Sequence, residues 1–432
     1  MLPLREHPQR RALAREAHAR PYESLQAPVR VSHLALVTGE GGAGADHAHL
    51  STLCEAEGVP TPPREAKHHA VDLGWGRLRW ERHTEFSTYT FIVRGGFRDP
   101  FGEPPLAAVP RDWLAGLPGE LLVALHLAMR PRTAPVPTLE ELGEHLAPTA
   151  IAGSRVAGGA AYVWSDFRLH ADGFGRILVH DRGLRGRQAG RLVQRLLEIE
   201  TYRMMALLAL PLARTHGPAL AELDGRLAEV TARLASPGSL EDERALLTDL
   251  TAMAAAVERI GAETAYRFGA AAAYHDLVRR RIAELREERI PGLQTIEEFM
   301  TRRLEPAMAT CRSVNARREE IAERIARAAN LLRTRIDIAL EEQNRDLLAS
   351  MDRRARLQLR LQETVEGLSV VVLSYYLVSL VGYAAKAAKA AGLPLDPALA
   401  TGFAIPVVVG AVGWGIQRMR RRLMREEGRR HP

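Results

Sequence analysis

The chain has 432 residues, 46% hydrophobic and 26% charged, which is enough for two or three domains and a sizeable core. Its formal net charge is +7, but seven arginines and two glutamates lie between Arg418 and Arg430 alone. The remainder is close to neutral and has no basic stripe with interleaved aromatic residues, which argues against a nucleic-acid partner.

Residues 1–185 are predicted to form a mixed α+β domain. β-branched and aromatic residues favour strands at Val31–Val37, Arg77–His83, Phe86–Val93, Ala161–His170 and Phe174–His180. Asp172-Gly173 separates the last two and suits a tight hairpin turn. Helices are expected at Gln9–Ala19, His47–Glu57 and Thr138–Leu146.

Two isolated cysteines, Cys54 and Cys311, fit a reducing compartment, and no secretory signal is recognised.

Residues 186–366 follow helical periodicity and are predicted to form a helical stalk domain. Arg191–Ala213 contains an apolar run of ten residues, which is too short to span a membrane and indicates a buried core helix. A further apolar seam with spacings of three and four predicts a helical hairpin, formed by Leu220, Leu223, Leu227, Val230 and Leu234. Ser236-Pro237-Gly238 ends that helix, and Ser239 with Asp242 is typical of the next helix cap.

The last stalk helix is predicted to run without Pro or Gly from Cys311 to Glu366 and directly into the segment that follows. Its apolar residues follow a coiled-coil-like spacing with drifting register, which predicts self-association through the stalk. Gln343 and Asn344 interrupt this seam. They either set the register of an oligomeric stalk or line a pore.

Two uncharged stretches of nineteen residues, Gly367–Ala385 and Ala398–Ile416, follow the stalk. As a helix each is about 28 Å long, which matches the hydrocarbon core of a bilayer. They predict a two-helix transmembrane hairpin over residues 367–416, with a basic tail at 417–432. The alternative is a buried core hairpin of a soluble protein.

Basic residues flank both predicted spans. The arginines concerned are Arg353, Arg354, Arg356 and Arg360 before the first span, and Arg418, Arg420, Arg421 and Arg422 after the second. The connecting segment, Lys386–Pro397, carries two lysines and one aspartate. Because basic residues concentrate on the cytoplasmic side, we expect a multi-pass protein of the bacterial inner membrane with its N-terminal domain and C-terminus in the cytoplasm.

Motifs for catalysis, cofactors or metals are weak throughout the chain, and HExxH, GxSxG and GxxxxGK are absent. Gly39–Gly44 fits GxGxxG, but no acidic residue closes a second strand about twenty residues later, which favours a flexible glycine loop. His47 and His49, and the loop residues His68 and His69, lack a third metal ligand. We therefore predict no catalytic residue, no cofactor and no metal site.

Two charged segments lie on or beside predicted strands. Asp166, His170, Asp172 and His180 lie on the predicted hairpin, either as an acid–base group or as solvated side chains. Glu81–Glu85 places alternating charges along a strand, which is typical of an exposed sheet face.

Several stretches together resemble a bacterial family of uncharacterised predicted membrane-anchored proteins, domain of unknown function 3422. They are Glu16–Pro21, Arg30–His33, Trp80–Phe91, Leu196–Pro211, Thr264–Ala271 and, above all, Leu331–Leu368. The resemblance covers nearly the whole chain. It implies a membrane-anchored protein and supplies no activity.

A looser, architectural resemblance is to CorA-type magnesium channels, which join an α/β cytosolic domain, a long stalk helix, two spans and a basic tail. Such channels carry Gly-Met-Asn at the outer end of the first span. Here the stretch is Gly382–Lys386, which lacks the Asn, and Lys386 and Lys389 would repel cations. The leading interpretation is a non-enzymatic structural or scaffolding oligomer that binds the lipid bilayer. The alternative is a CorA-like ion channel or transporter with an ion ligand, and the third is an enzyme in the cytosolic domain that is tethered to the membrane.

Overall fold

The computed structural model describes residues 6–10, 22–39, 43–236, 238–391 and 396–427. Contacts between residues divide the chain into two compact units. The N-terminal unit comprises Met1–Gly238 and Ala245–Asn330, and the C-terminal unit comprises Ser239–Arg244 and Leu331–Pro432. Most of the predicted helix Gln9–Ala19 lies outside the described residues.

The N-terminal unit is built on one nine-stranded sheet. Its strands are β1 Val29–Val37, β2 His68–Asp72, β3 Arg77–Arg82, β4 Phe86–Arg94, β5 Glu120–Arg130, β6 Ala152–Val156, β7 Ala161–Ser165, β8 Gly175–Asp181 and β9 Glu288–Arg289. Their spatial order is β2-β3-β4-β1-β5-β8-β7-β6-β9, and β5 and β8 are parallel. The strands predicted at Val31–Val37, Arg77–His83 and Phe86–Val93 are confirmed.

The described residues include nine α-helices. They are α1 Ala43–Ala56, α2 Arg111–Ala115, α3 Leu139–His145, α4 Gly186–Leu207, α5 Ala209–Leu234, α6 Leu240–Leu285, α7 Ile296–Arg303, α8 Glu305–Ala390 and α9 Pro397–Glu427. Thr138 accepts the Glu141 N–H in a capping box at the start of α3. The predicted cap of α6 is confirmed, because Ser239 Oγ accepts the Asp242 N–H at 3.2 Å.

Both faces of the sheet are covered. On β1, Val31 and Ala35 belong to the core shared with α4 and α6, whereas Leu34 and Leu36 belong to the core shared with α1. Because successive side chains of a strand point to opposite faces, a strand buried on both sides is apolar at nearly every position. The seam predicted in α5 is likewise confirmed, since all five of its residues are buried.

The hairpin predicted around Asp172-Gly173 is wrong in its strand bounds. β7 ends at Ser165 and β8 begins at Gly175. The Asp166 carboxylate accepts the backbone N–H groups of Ala147 at 2.8 Å and Arg168 at 3.2 Å, which draws the chain out of the sheet. The turn itself survives in the connection, where Gly173 has a φ of 79°.

Two long helical predictions have different outcomes. The helix expected over Arg191–Ala213 is interrupted between Leu207 and Ala209. Pro211 has no N–H for the carbonyl four residues earlier, so it fits the first turn of a new helix better than the interior of an old one. In contrast, α8 is one continuous helix of 86 residues, as the lack of Pro and Gly between Cys311 and Glu366 predicts.

Candidate functional site

The C-terminal unit contains two apolar helical segments whose side chains are exposed. Each includes an eighteen-residue window of mean hydropathy 1.8, and only 11% of the window in α8 and 6% of that in α9 is buried. Both helices are long and apolar enough to cross a membrane. The core helix of a soluble protein has the same composition, but it is mostly buried.

The basic flanks of these segments are accessible where the structure describes them. Arg353, Arg354 and Arg360 are exposed, and Arg356 forms an ion pair with Asp352 at 2.5 Å. The guanidinium of Arg418 lies over the Trp414 ring at 4.9 Å. Arg420, Arg421 and Arg422 belong to α9, but their side chains lie outside the described part of the chain.

Gln343 and Asn344 are both exposed, and so is the helix around them. Within the C-terminal unit, residues 341–349 and 351–365 are exposed on every side of α8. This stretch includes large apolar side chains that contact little: Leu347, Leu348, Met351, Leu357 and Leu361. Most helices in proteins gain their stability from packing one apolar face, so this segment lacks its usual source of stability.

The two apolar segments approach each other closely near Gly382. A Cβ atom at Gly382 would lie 3.3 Å from the Thr401 hydroxyl oxygen. A groove of about 640 Å³ runs beside this contact, and Ser374 is one of the residues that line it. Ser374 is 5% exposed, and its hydroxyl has no partner among the described residues. Small residues at such a contact allow membrane helices to pack closely.

The N-terminal unit contains a polar cavity that sequence analysis missed. It has a volume of about 50 Å³ and lies between the sheet and α4. Its polar lining comes from three adjacent strands and one helix, and includes His33, Arg79, Glu81, Thr88, Thr90, Gln194, Glu198 and Thr201. A polar layer at a sheet–helix contact is unusual because buried polar groups must find partners there.

His33 is held by two threonines. The Thr201 hydroxyl donates to the Leu197 carbonyl at 2.9 Å, so it accepts from His33 Nε2–H at 3.1 Å. His33 Nδ1 then accepts from the Thr90 hydroxyl at 2.8 Å. Burial, reinforced by the positive charge of Arg79, lowers the pKa of His33 to about 3. The ring is therefore neutral at physiological pH and serves as a fixed hydrogen-bonding group.

Ion pairs and hydrogen bonds continue from the cavity to the neighbouring helices. Arg79 donates to Glu81 at 2.7 Å and to the Gln194 side-chain oxygen at 2.9 Å. Gln194 in turn donates to Glu198 at 2.7 Å, and Glu198 accepts from Arg281 on α6. Every charged side chain in this series of contacts has an opposite charge or an amide beside it. The network can therefore hold the cavity walls in fixed positions.

The exposed sheet face predicted for Glu81–Glu85 is wrong. Glu81 lines the cavity, and the side chain of Glu85 is only 4% exposed and accepts from Arg267 at 2.6 Å. The α4 and α6 helices cover this face of the sheet, and each carboxylate is paired with an arginine. The sequence pattern of alternating charges along a strand is the same whether the polar side chains meet water or a second layer of polar side chains.

A second buried histidine lies on the opposite face of the sheet. His126 Nδ1 is 2.9 Å from the Ser32 hydroxyl, and its ring stacks on Phe174 with centroids 4.1 Å apart. Burial lowers the pKa of His126 to about 4. Like His33, this ring is neutral near pH 7.

The acid–base group considered on the β7–β8 connection is not assembled. His170 Nε2 lies 3.0 Å from Asp166, but Asp172 pairs with Arg176 at 3.2 Å. His180 is buried on β8, where burial lowers its pKa and Arg130 adds to the effect. The four residues thus divide among separate environments, and each of the two aspartates has a local structural role.

The histidines considered as metal ligands bond to carbonyl groups instead. His47 Nε2 lies 2.8 Å from the Pro62 oxygen, His49 Nε2 lies 2.8 Å from the Trp113 oxygen, and His69 Nε2 lies 2.9 Å from the Pro60 oxygen. His68 and His69 belong to β2, not to a loop. Across the described ranges, no three His, Cys, Asp or Glu side chains are placed to hold a metal ion.

Gly39 follows β1 and Gly44 lies in the first turn of α1, while residues 40–42 lie outside the described part of the chain. Both neighbours of β1 in the sheet are antiparallel to it. A dinucleotide fingerprint requires a parallel βαβ unit, so the geometry favours the glycine-loop interpretation.

Comparison with known proteins identifies a family but no activity. The family model described as "Protein of unknown function (DUF3422)" matches residues 5–423. The chain belongs to this family. The match confirms the family resemblance drawn from the sequence and spans both units. No curated protein and no solved structure matches the chain. The architectural resemblance of the chain to CorA-type channels stays a prediction.

Proposed function

We propose that this protein is a membrane-anchored, self-associating scaffold. Its two apolar segments, 367–385 and 398–416, form a hairpin in the bacterial inner membrane, with the N-terminal unit and the C-terminal tail in the cytoplasm. The observation that carries the proposal is the exposure of both segments. Among the described residues between Leu368 and Trp414, sixteen large apolar side chains are exposed, and burying a Val, Leu, Ile or Phe side chain is worth roughly 1.5–3 kcal/mol. So large an apolar surface marks a membrane or protein contact.

Membrane insertion is tested by fractionating cells that express the full chain and washing the membranes with alkaline carbonate. We expect the wild type to stay in the washed membranes. Leu377→Arg combined with Val407→Arg should release it, because an arginine at the centre of a span costs about 2.5–3.5 kcal/mol. Leu359→Arg, also an exposed leucine but outside the spans, is the matched control. Recovery of the wild type in the soluble fraction would refute the anchor.

Topology follows from the basic flanks. We expect a reporter that works only in the cytoplasm to be active when it is fused to the C-terminus. In the variant Lys389→Cys, the new thiol should react with an impermeant thiol reagent added from outside. A C-terminal reporter that is active only in the periplasm would contradict the assignment.

Self-association is supported by the exposed apolar side chains of α8. We expect the purified protein in detergent to have a mass that is a multiple of the chain mass. Leu347→Asn combined with Leu361→Asn should dissociate it, whereas Arg345→Gln, a change at another exposed position of the same helix, should not. A monomer at all concentrations would exclude the oligomeric stalk.

The channel alternative is separated by ion flux into liposomes. A scaffold gives no flux. Reproducible flux that changes with Gln343→Leu or Lys386→Asn would replace the scaffold by a channel. In that case Gln343 and Asn344 would line the pore rather than set the register.

A further inference from the structure

An arginine-lined pocket lies in the N-terminal unit, between α4 and the end of α6. Its volume is about 490 Å³, which is within the range of roughly 300–1,000 Å³ typical of small-molecule sites. Arg191 and Arg195 line it from α4, and Arg280 and Arg286 line it from the other side. With Glu284 as its one acidic lining residue, the pocket has a formal charge of +3.

Most of this positive charge is not neutralised by carboxylates. Arg195 donates to Glu284 at 2.9 Å, and Glu284 also accepts from Arg281 at 3.1 Å. Arg280 and Arg286 are exposed, and within the part of the chain that the structure describes neither forms an ion pair or a hydrogen bond through its side chain. The guanidinium carbon of Arg191 lies 5.8 Å from the centroid of the Tyr22 ring, and among the described residues no carboxylate pairs with this arginine.

A simpler explanation accounts for only part of this arrangement. Cations at the C-terminus of a helix stabilise its dipole, and Arg286 directly follows the last residue of α6, whereas Arg280 lies more than one turn before it. Arg191 and Gln188, however, belong to another helix and line the same pocket. Arg286 also has a φ of 51°, a left-handed conformation that usually belongs to glycine after a helix. The fold thus places an arginine in the pocket where a glycine would be less strained.

We propose that this pocket binds a phosphate-bearing ligand. Guanidinium groups match phosphate oxygens with paired N–H donors, and a ligand with two or more negative charges would balance the net charge of the lining. The phosphate could belong to a soluble metabolite or to a phospholipid headgroup, which share this chemistry. The proposal does not depend on membrane anchoring or on self-association.

The test is isothermal titration calorimetry of the full chain in nonionic detergent, with pyrophosphate as the probe. We expect saturable binding at one site per chain. Arg280→Gln and Arg286→Gln should each weaken it by about tenfold or more, since each removes a charge-assisted contact. Glu284→Gln should tighten it, because the only acidic charge of the lining is lost. Arg259→Gln, which removes an exposed arginine elsewhere on α6, is the matched control.

No saturable heat with the wild type overturns the proposal, and so does an equal loss of affinity in the Arg259→Gln control. Arg280→Lys guards against a folding defect, since it keeps the charge and should retain more affinity than Arg280→Gln. Competition by a short-chain phosphatidate would assign the site to a headgroup. If pyrophosphate binding is undiminished in the presence of the phosphatidate, the site is assigned to a soluble phosphate. Both results support the phosphate site.

Discussion

The Nε2 atom of His33 lies 3.1 Å from the hydroxyl oxygen of Thr201, a residue 168 positions later in the chain. This contact joins β1 to α4 through a neutral imidazole with both of its nitrogens paired. The polar cavity is thus closed by groups whose hydrogen bonds are already complete.

Replacing Thr201 by valine should destabilise the N-terminal unit by about 1–3 kcal/mol, because the buried His33 N–H loses its acceptor. The control is Thr251→Val. Thr251 also donates to the carbonyl four residues earlier, at 2.8 Å, but it is exposed, so we expect a change within about 0.5 kcal/mol. Urea denaturation, monitored by tryptophan fluorescence, measures the free energy of unfolding of both variants. Equal costs would show that the His33 contact adds nothing.

Mild acid should destabilise the fold through His33 and His126. An unfolded histidine has a pKa near 6.5, whereas the pKa values of these two are about 3 and 4 in the folded chain. As the pH falls from 6.5 towards 4, the unfolded chain binds protons that the folded chain excludes. Each histidine then lowers the free energy of unfolding by about 1.4 kcal/mol per pH unit.

His33→Gln keeps a hydrogen-bond donor and acceptor but cannot titrate in this range. Denaturant titrations between pH 4.5 and 7.5 should show a shallower pH dependence in this variant below pH 6.5, by about 1.4 kcal/mol per unit, and no difference in slope above it. An unchanged slope would mean that the imidazole is protonated in the folded state.

Removing the charge of Arg267 should destabilise the fold, because the buried Glu85 carboxylate loses its cationic partner. The two groups lie 2.6 Å apart, and their side chains are 18% and 4% exposed. For Arg267→Ala we expect a loss of about 3 kcal/mol or more. Arg345→Ala breaks a pair of similar length with Glu341 that is exposed, and it should cost less than about 0.5 kcal/mol. Comparable losses in thermal unfolding would contradict the burial of Glu85.

Adding one methyl group to Gly190 should disrupt the contact between α4 and the chain before β1. A Cβ atom there would lie 1.7 Å from the Glu23 carbonyl oxygen, so Gly190→Ala should destabilise by about 1–3 kcal/mol or more. Gly225, inside α5, has open space around it, and Gly225→Ala should stabilise by up to about 1 kcal/mol. The melting temperatures of the two variants should move in opposite directions.

Local patterns predicted some of these elements and failed for others for identifiable reasons. β3 and β4 are rich in residues that favour strands, and α8 has no helix breaker through its middle. β5 was missed because Glu120–Arg130 is rich in leucine and alanine, which are equally typical of a helix. β9 has two residues and exists only because β6 lies beside it.

The cavity was missed because its residues come from distant segments. Arg79, Gln194 and Glu198 are polar residues of the kind that normally faces water, and only the covering helices bury them. One signal was present: Ser32 and His33 are adjacent polar residues within the otherwise apolar stretch Val31–Val37. Each proves to have a buried partner, Ser32 on one side of the sheet and His33 on the other.

The pairing of β9 with β6 bears on how the protein is made. The ribosome completes β8 more than a hundred residues before it reaches Glu288. Until then the nascent chain carries an open strand edge at β6, the kind of edge that invites pairing with other chains. A fragment that stops after β8 keeps that edge permanently, so we expect it to aggregate where the full chain does not.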